Sequence, residues 1–257
     1  MKSQHLYSLK KHHGYLILLI AAIPFISAST FFVDTPPTTP APIYISSLGS
    51  GSFLTSPIQF EGWVSCQEDQ LIRIELVDIK NRVLARTLAF KECNEEGKIP
   101  ISENIYFDAS AVPLPARITF ASQGENNFTT ALTTVEVSLT ESVEQINAPQ
   151  PDRSAIILDS VQKIPLKEGF NISISGWVSP FNTSPLIFEV YTPIGLYIGS
   201  KQHIISSEII DGYADFQVEI PTFNDPGTAD VILIIRQMGL EIPGNILLQS
   251  FPITLEP

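Results

Sequence analysis

Two cysteines and two tryptophans are the residues with which the chemistry of this sequence begins. Cys66 and Cys93 are the only thiols. In an oxidising compartment such a pair forms a disulfide; otherwise it is two free thiols, and without a histidine close by it makes a poor zinc site. Trp63 and Trp177 are the only tryptophans. An outward-facing indole can stack on a sugar or peptide, or it can cover a neighbouring strand with its N–H hydrogen-bonded. Both readings stand for each. Carboxylates fall at Glu68-Asp69, at Glu92 with Glu95-Glu96, at Asp211 with Asp215, and at Asn224-Asp225 with Asp230. They are oxygen donors of the right type for calcium but lack the spacing of a calcium loop. As a pair for glycoside hydrolysis, no two are set across a cleft by the sequence. His203 sits in the strand-like stretch Lys201-Gln-His-Ile-Ile and reads as a surface or edge residue. Neither a glycine-rich phosphate loop nor a nucleophile elbow occurs. Asn127, Asn171 and Asn182 open glycosylation triplets, which matter only in a eukaryotic secretory pathway. The sequence thus predicts no catalytic residue, metal or cofactor. It offers Trp63 and Trp177 as ligand-binding candidates and Cys66–Cys93 as a disulfide.

The elements that carry these residues are strands. Ile58-Gln-Phe-Glu-Gly-Trp-Val alternates apolar and polar, as does Leu71-Ile-Arg-Ile-Glu-Leu. A period of two puts alternate side chains on opposite faces. Ile58, Phe60, Gly62 and Val64 therefore share one face, and Gln59, Glu61, Trp63 and Ser65 the other. The same alternation places Trp177 with Ser173, Ser175 and Ser179, opposite Ile172, Ile174, Gly176 and Val178. Each tryptophan is expected on a polar, outward face. From Cys66 the chain runs out through Leu71–Asp78, turns near Asn81 and returns through Val83–Phe90. Two reversals bring Cys93 back to the end where Cys66 sits.

The chain repeats itself. Phe60-Glu-Gly-Trp-Val-Ser65 returns as Ile174-Ser-Gly-Trp-Val-Ser179, an offset of 114 residues. At that offset Ile72, Ile74 and Leu76 fall on Leu186, Phe188 and Val190. Asn81 falls on Gly195, Leu84 on Ile198, and Ile118 and Phe120 on Ile232 and Ile234. Val135-Glu-Val-Ser-Leu closes the first copy as Phe251-Pro-Ile-Thr-Leu closes the second. Two homologous domains follow, at 43–140 and 154–257, with the polar segment 141–153 as linker. Some seven short strands in a hundred residues suggest an immunoglobulin-like β-sandwich in each, a small barrel being the alternative.

Charge and the N-terminus give the compartment. Lys2, Lys10 and Lys11 are the only bases before residue 30, and no acid precedes it. Beyond it, twelve Lys and Arg stand against twenty-seven Asp and Glu, a formal charge of −15. Such a body repels nucleic acid and anionic lipid. His203 is the only histidine in it, too few for a histidine-rich metal site. Residues 1–29 combine a basic leader, the apolar run Tyr15–Ile26 and small residues at Ser27, Ala28 and Ser29. They read as a signal peptide or, with the run extended to Val33, as an uncleaved anchor about 28 Å long. Either places the body outside the cytoplasm, with the membrane touched only through this segment. Residues 30–42, with prolines at 36, 37, 40 and 42, form an extended linker or stalk.

Within the repeats, Ile45-Ser46, Gly62, Leu76-Val-Asp78, Asn81 and Val83-Leu84 form a pattern of strand ends and turns. Leu158-Asp-Ser160, Gly176 and Gly195 follow it in the second copy, with Thr192 where the first has Asp78. The pattern resembles the immunoglobulin-like domain of bacterial spore germination proteins, in two tandem copies. The resemblance implies a bacterial, extracytoplasmic envelope module without catalytic residues. Its expected work is non-enzymatic binding or spacing at the cell surface, toward an envelope protein or a cell-wall glycan. A carbohydrate-binding surface protein using Trp63 and Trp177 is the alternative.

Overall fold

The structure is a computed structural model, and it describes residues 37, 39–108, 113–124, 128–166, 169–206, 208–222 and 230–255. The signal or anchor segment 1–29, most of the 30–42 linker, Asn127 and Asn224-Asp225 lie outside the described residues. The fold is all-β. Among the described residues fifteen strands follow in order: β1 (Ile43–Ile45), β2 (Ser52–Leu54), β3 (Ile58–Ser65), β4 (Gln70–Asp78), β5 (Val83–Lys91), β6 (Lys98–Ile105), β7 (Leu114–Gln123), β8 (Thr129–Leu139), β9 (Ile156–Pro165), β10 (Phe170–Val178), β11 (Leu186–Tyr191), β12 (Tyr197–His203), β13 (Ala214–Pro221), β14 (Asp230–Met238) and β15 (Asn245–Thr254).

They form three sheets. Two are three-stranded, β1-β3-β6 and β13-β10-β9. The third is nine-stranded, in the order β12-β11-β14-β15-β8-β7-β4-β5, with β2 lying parallel to the end of β8. Apolar side chains at alternate positions fill two cores between these layers. The first joins Ile43, Phe60, Ile99 and Ile101 of the small sheet to Ile74, Leu76, Ile118 and Phe120 of the large one. The second joins Phe170, Ile174 and Phe216 to Phe188, Val190, Leu233 and Ile235. Edge-to-face aromatic pairs, Phe60–Phe120 and Phe188–Phe216, sit in both, each with ring centroids 5.3 Å apart.

Strand registers set the correspondence between the two halves of the sequence repeat and correct the offset. Leu76 pairs with Ile118 and Val190 with Leu233, so Ile118 corresponds to Leu233 rather than Ile232. Likewise Phe120 corresponds to Ile235 rather than Ile234. One residue of slip turns a strand over: Ile232 and Ile234 face away from the second core, into a third cluster with Ala121, Leu132 and Leu248. The stretch Val231–Ile235 is apolar throughout and buried on both faces, so its alternation could not reveal the slip.

Asp78 and Thr192 do one job with different chemistry. Asp78 Oδ1 accepts from the backbone N–H of Lys80 and of Arg82, both at 2.9 Å. The Arg82 guanidinium binds Oδ2 at 2.6 Å. Thr192 Oγ1 accepts from the N–H of Leu196 at 3.0 Å, the same fifth position of the turn. Asn81 and Gly195 occupy the left-handed conformation each turn needs, with φ of 58° and 86°. The Arg82 N–H, more than any other group, holds the Asp78 carboxyl below its ordinary pKa, against the opposing effect of burial.

The repeats meet through one sheet. β8 and β15 pair antiparallel, Leu132 opposite Leu248 and Ala131 opposite Gln249. By register Leu132 and Leu248 are equivalent residues, so the contact has a local two-fold symmetry. Across it Arg117, 3% exposed on β7, reaches the β14–β15 turn, where Nη1 donates to Ile242 O at 2.8 Å and Nη2 to Pro243 O at 2.9 Å. Thr134 Oγ1 donates to Ile246 O, and Ser250 Oγ to Thr129 O. Segment 141–153 is tied along the first repeat: Phe53 exchanges backbone hydrogen bonds with Gln145, and Asn147 N donates to Ser52 Oγ.

Candidate functional site

The Gly-Trp pair shared by the repeats is built by close strand approach. A Cβ at Gly62 would lie 2.1 Å from Tyr44 O, and one at Gly176 would lie 2.2 Å from Ile157 O. Only glycine lets β1 and β9 run that near, and at Gly176 the ladder shifts register. The following tryptophan then points outward. Val64 and Val178 beside the two indoles are buried, whereas Trp63 and Trp177 are half-buried.

Their surroundings differ. Trp63 lies between Tyr44 and Pro100 on the neighbouring strands. The Tyr44 ring centroid is 5.9 Å away, and Lys98 Nζ stands 4.5 Å from the indole centroid, a cation–π contact. Trp177 lies between Ile157 and Asp215. The tryptophans occupy separate three-stranded sheets, and their cross-strand neighbours differ in chemistry.

Cys66 and Cys93 form a disulfide, with Cα atoms 5.9 Å apart. The bridge ties the end of β3 to the segment following β5. Around it Cys66 N donates to Gly97 O at 2.9 Å, and Cys93 N to Asp69 Oδ1 at 3.0 Å. A bridge of this kind points to an oxidising, extracytoplasmic environment. Asp69 thus has a local task in the backbone.

No group of three or more His, Cys, Asp or Glu suited to a metal occurs among the described residues. Asp211 sits at positive φ in the tight Ile210–Tyr213 turn, followed by Gly212. His203 ends β12, half-buried; burial lowers its pKa, opposed by the charge of Asp215.

Sequence reasoning missed a cleft of about 530 Å³ where the repeats meet. Glu136, Arg153, Phe181, Asp211, Tyr213 and Glu241 are among its lining residues. They come from five separate stretches of chain, Asp211 and Tyr213 sharing one turn, and no spacing in the sequence brings them together. Tyr213 is held by its hydroxyl, which donates to Ser154 O at 2.8 Å; burial raises its pKa while Arg153 pulls it down. Three carboxylates and one guanidinium share the lining with apolar Phe181, Leu240 and Ile246, and the volume lies in the range of small-molecule sites.

No protein-family model and no curated protein matches this sequence.

Proposed function

We propose that this chain is an exported, non-enzymatic protein of the bacterial surface. Its two immunoglobulin-like modules form one stiff arm for binding or spacing, with a link to spore germination as the role that the family resemblance suggests. The observation that carries the reading is the sheet running unbroken from β12 to β5 through both repeats. Modules meant to swing would meet through a loose linker; these share a ladder, a buried arginine and a third apolar cluster. The strand order of each half, three strands against four with β2 added beside β8 in the first, supports an immunoglobulin-like module. The disulfide supports an oxidising compartment, and the apolar segment 15–33 supports export.

The test is protease treatment of intact cells with a thiol-reactive label. Digestion of the body from outside, with Cys66 and Cys93 unreactive until reduced, is the expected result. A protected body with reactive thiols would reject export.

Binding of a cell-wall glycan is the second reading, favoured by the outward, half-exposed placement of both indoles. Acrylamide quenching of tryptophan emission separates the two. Protection by glycan supports the sugar reading, and emission indifferent to glycan leaves a protein partner or spacing.

A further inference from the structure

The two end strands of the large sheet, β5 and β12, are equivalent by register, yet they differ in what their edges offer. β12 has seven residues with Ser200 and Gln202 on its outward face and an exposed Lys201, features that discourage further pairing. β5 has nine residues and no proline. Its inward side chains, Ala85, Thr87 and Ala89, oppose the core residues Leu76, Ile74 and Ile72. Its outward face carries Arg86, Leu88 and Phe90, with Leu88 56% and Phe90 69% exposed. Gln202 stands at the position equivalent to Leu88. A long apolar edge with unpaired backbone groups is a template for another strand.

We propose that the strand it takes is β5 of a second copy of this chain, antiparallel, with the two-fold axis at Leu88. In that register Leu88 meets the partner's Leu88, and each Arg86 meets the partner's Phe90. An apolar pair is then flanked by two cation–π pairs. Arg86 is already steadied on this face, its Nε donating to Glu75 Oε1 at 2.7 Å. The chain also uses the same device internally. β8 and β15 are equivalent strands paired edge to edge, with equivalent leucines opposite each other. A contact in which the same patch serves both partners closes at two copies, and the polar β12 edge gives no second site for growth.

The test is sedimentation velocity on residues 30–257, which keep every residue of the three buried clusters. At about 200 µM, an edge contact with a Kd of about 10 µM is mostly occupied. The expected result is a wild type whose mass doubles between dilute and concentrated samples. Leu88→Lys, which sets like charges on the axis, weakens the dimer at least tenfold, and Phe90→Lys does likewise. Gln202→Lys on β12 behaves as wild type. Both β5 positions are exposed, so tryptophan emission and far-UV circular dichroism remain native in each variant. A wild type that stays monomeric at this concentration, or a dimer untouched by Leu88→Lys and Phe90→Lys, overturns the proposal.

Discussion

Replacing Arg117 by alanine tests how the two repeats are held. The side chain is 3% exposed and gives two charge-assisted hydrogen bonds, 2.8 and 2.9 Å long, to carbonyls in the β14–β15 turn. Each such bond contributes about 1.5–3 kcal/mol. Against this stands the cost of burying a guanidinium, which also lowers the Arg117 pKa, with Glu136 opposing. Truncation leaves the carbonyls of Ile242 and Pro243 without this donor, and the net loss comes to about 2–4 kcal/mol. With a urea slope of about 2–3 kcal/mol/M, the unfolding midpoint falls by about 1 M. Because Trp63 lies in one repeat and Trp177 in the other, Trp177→Phe and Trp63→Phe backgrounds report on each half separately. The two curves coincide with Arg117 in place and separate in Arg117→Ala. An unmoved midpoint with superimposed curves would refute the clamp.

Three further outcomes follow from local contacts. Cys66→Ser with Cys93→Ser opens a loop of sequence separation 27 and lowers stability by about 3–4 kcal/mol, read by urea unfolding with and without reductant. Gly62→Ala and Gly176→Ala drive a Cβ onto the carbonyls of Tyr44 and Ile157; each costs about 1–3 kcal/mol, and thermal unfolding shows whether the two sites respond alike. Asp78 has a folded pKa below its ordinary 3.8, so its contribution is present above pH 3.8 and lost as pH falls through the folded value. The stability difference between wild type and Asp78→Asn therefore shrinks on acidification, as denaturation at stepped pH shows. The Thr192 turn, which has no carboxylate, adds nothing to that acid response.

What the sequence made legible was local. Period-two alternation placed Trp63 and Trp177 outward, and the burial of Val64 and Val178 beside them agrees. Counting strand reversals brought Cys66 and Cys93 together, where they form a disulfide. The matched endings Val135 and Phe251 prove equivalent by register. Long-range facts stayed hidden. Arg117 interrupts a buried strand, yet nothing near it in sequence names Ile242 and Pro243 as its acceptors. The face of β14 could not be chosen because both faces are buried, one by the second core and one by the junction. The cleft draws on segments far apart in the chain, around 134–136, 150–155, 179–182, 211–213 and 240–246, so it has no motif.

Hydrogen exchange at the repeat junction tests the account's central claim most directly. If one sheet joins the repeats into a stiff exported arm, the amides of Ala131, Leu132, Leu248 and Gln249 exchange as slowly as those of core strands such as β7. Exchange of these four at the rate of exposed loops, with the cores still protected, would mean two independent modules and contradict it.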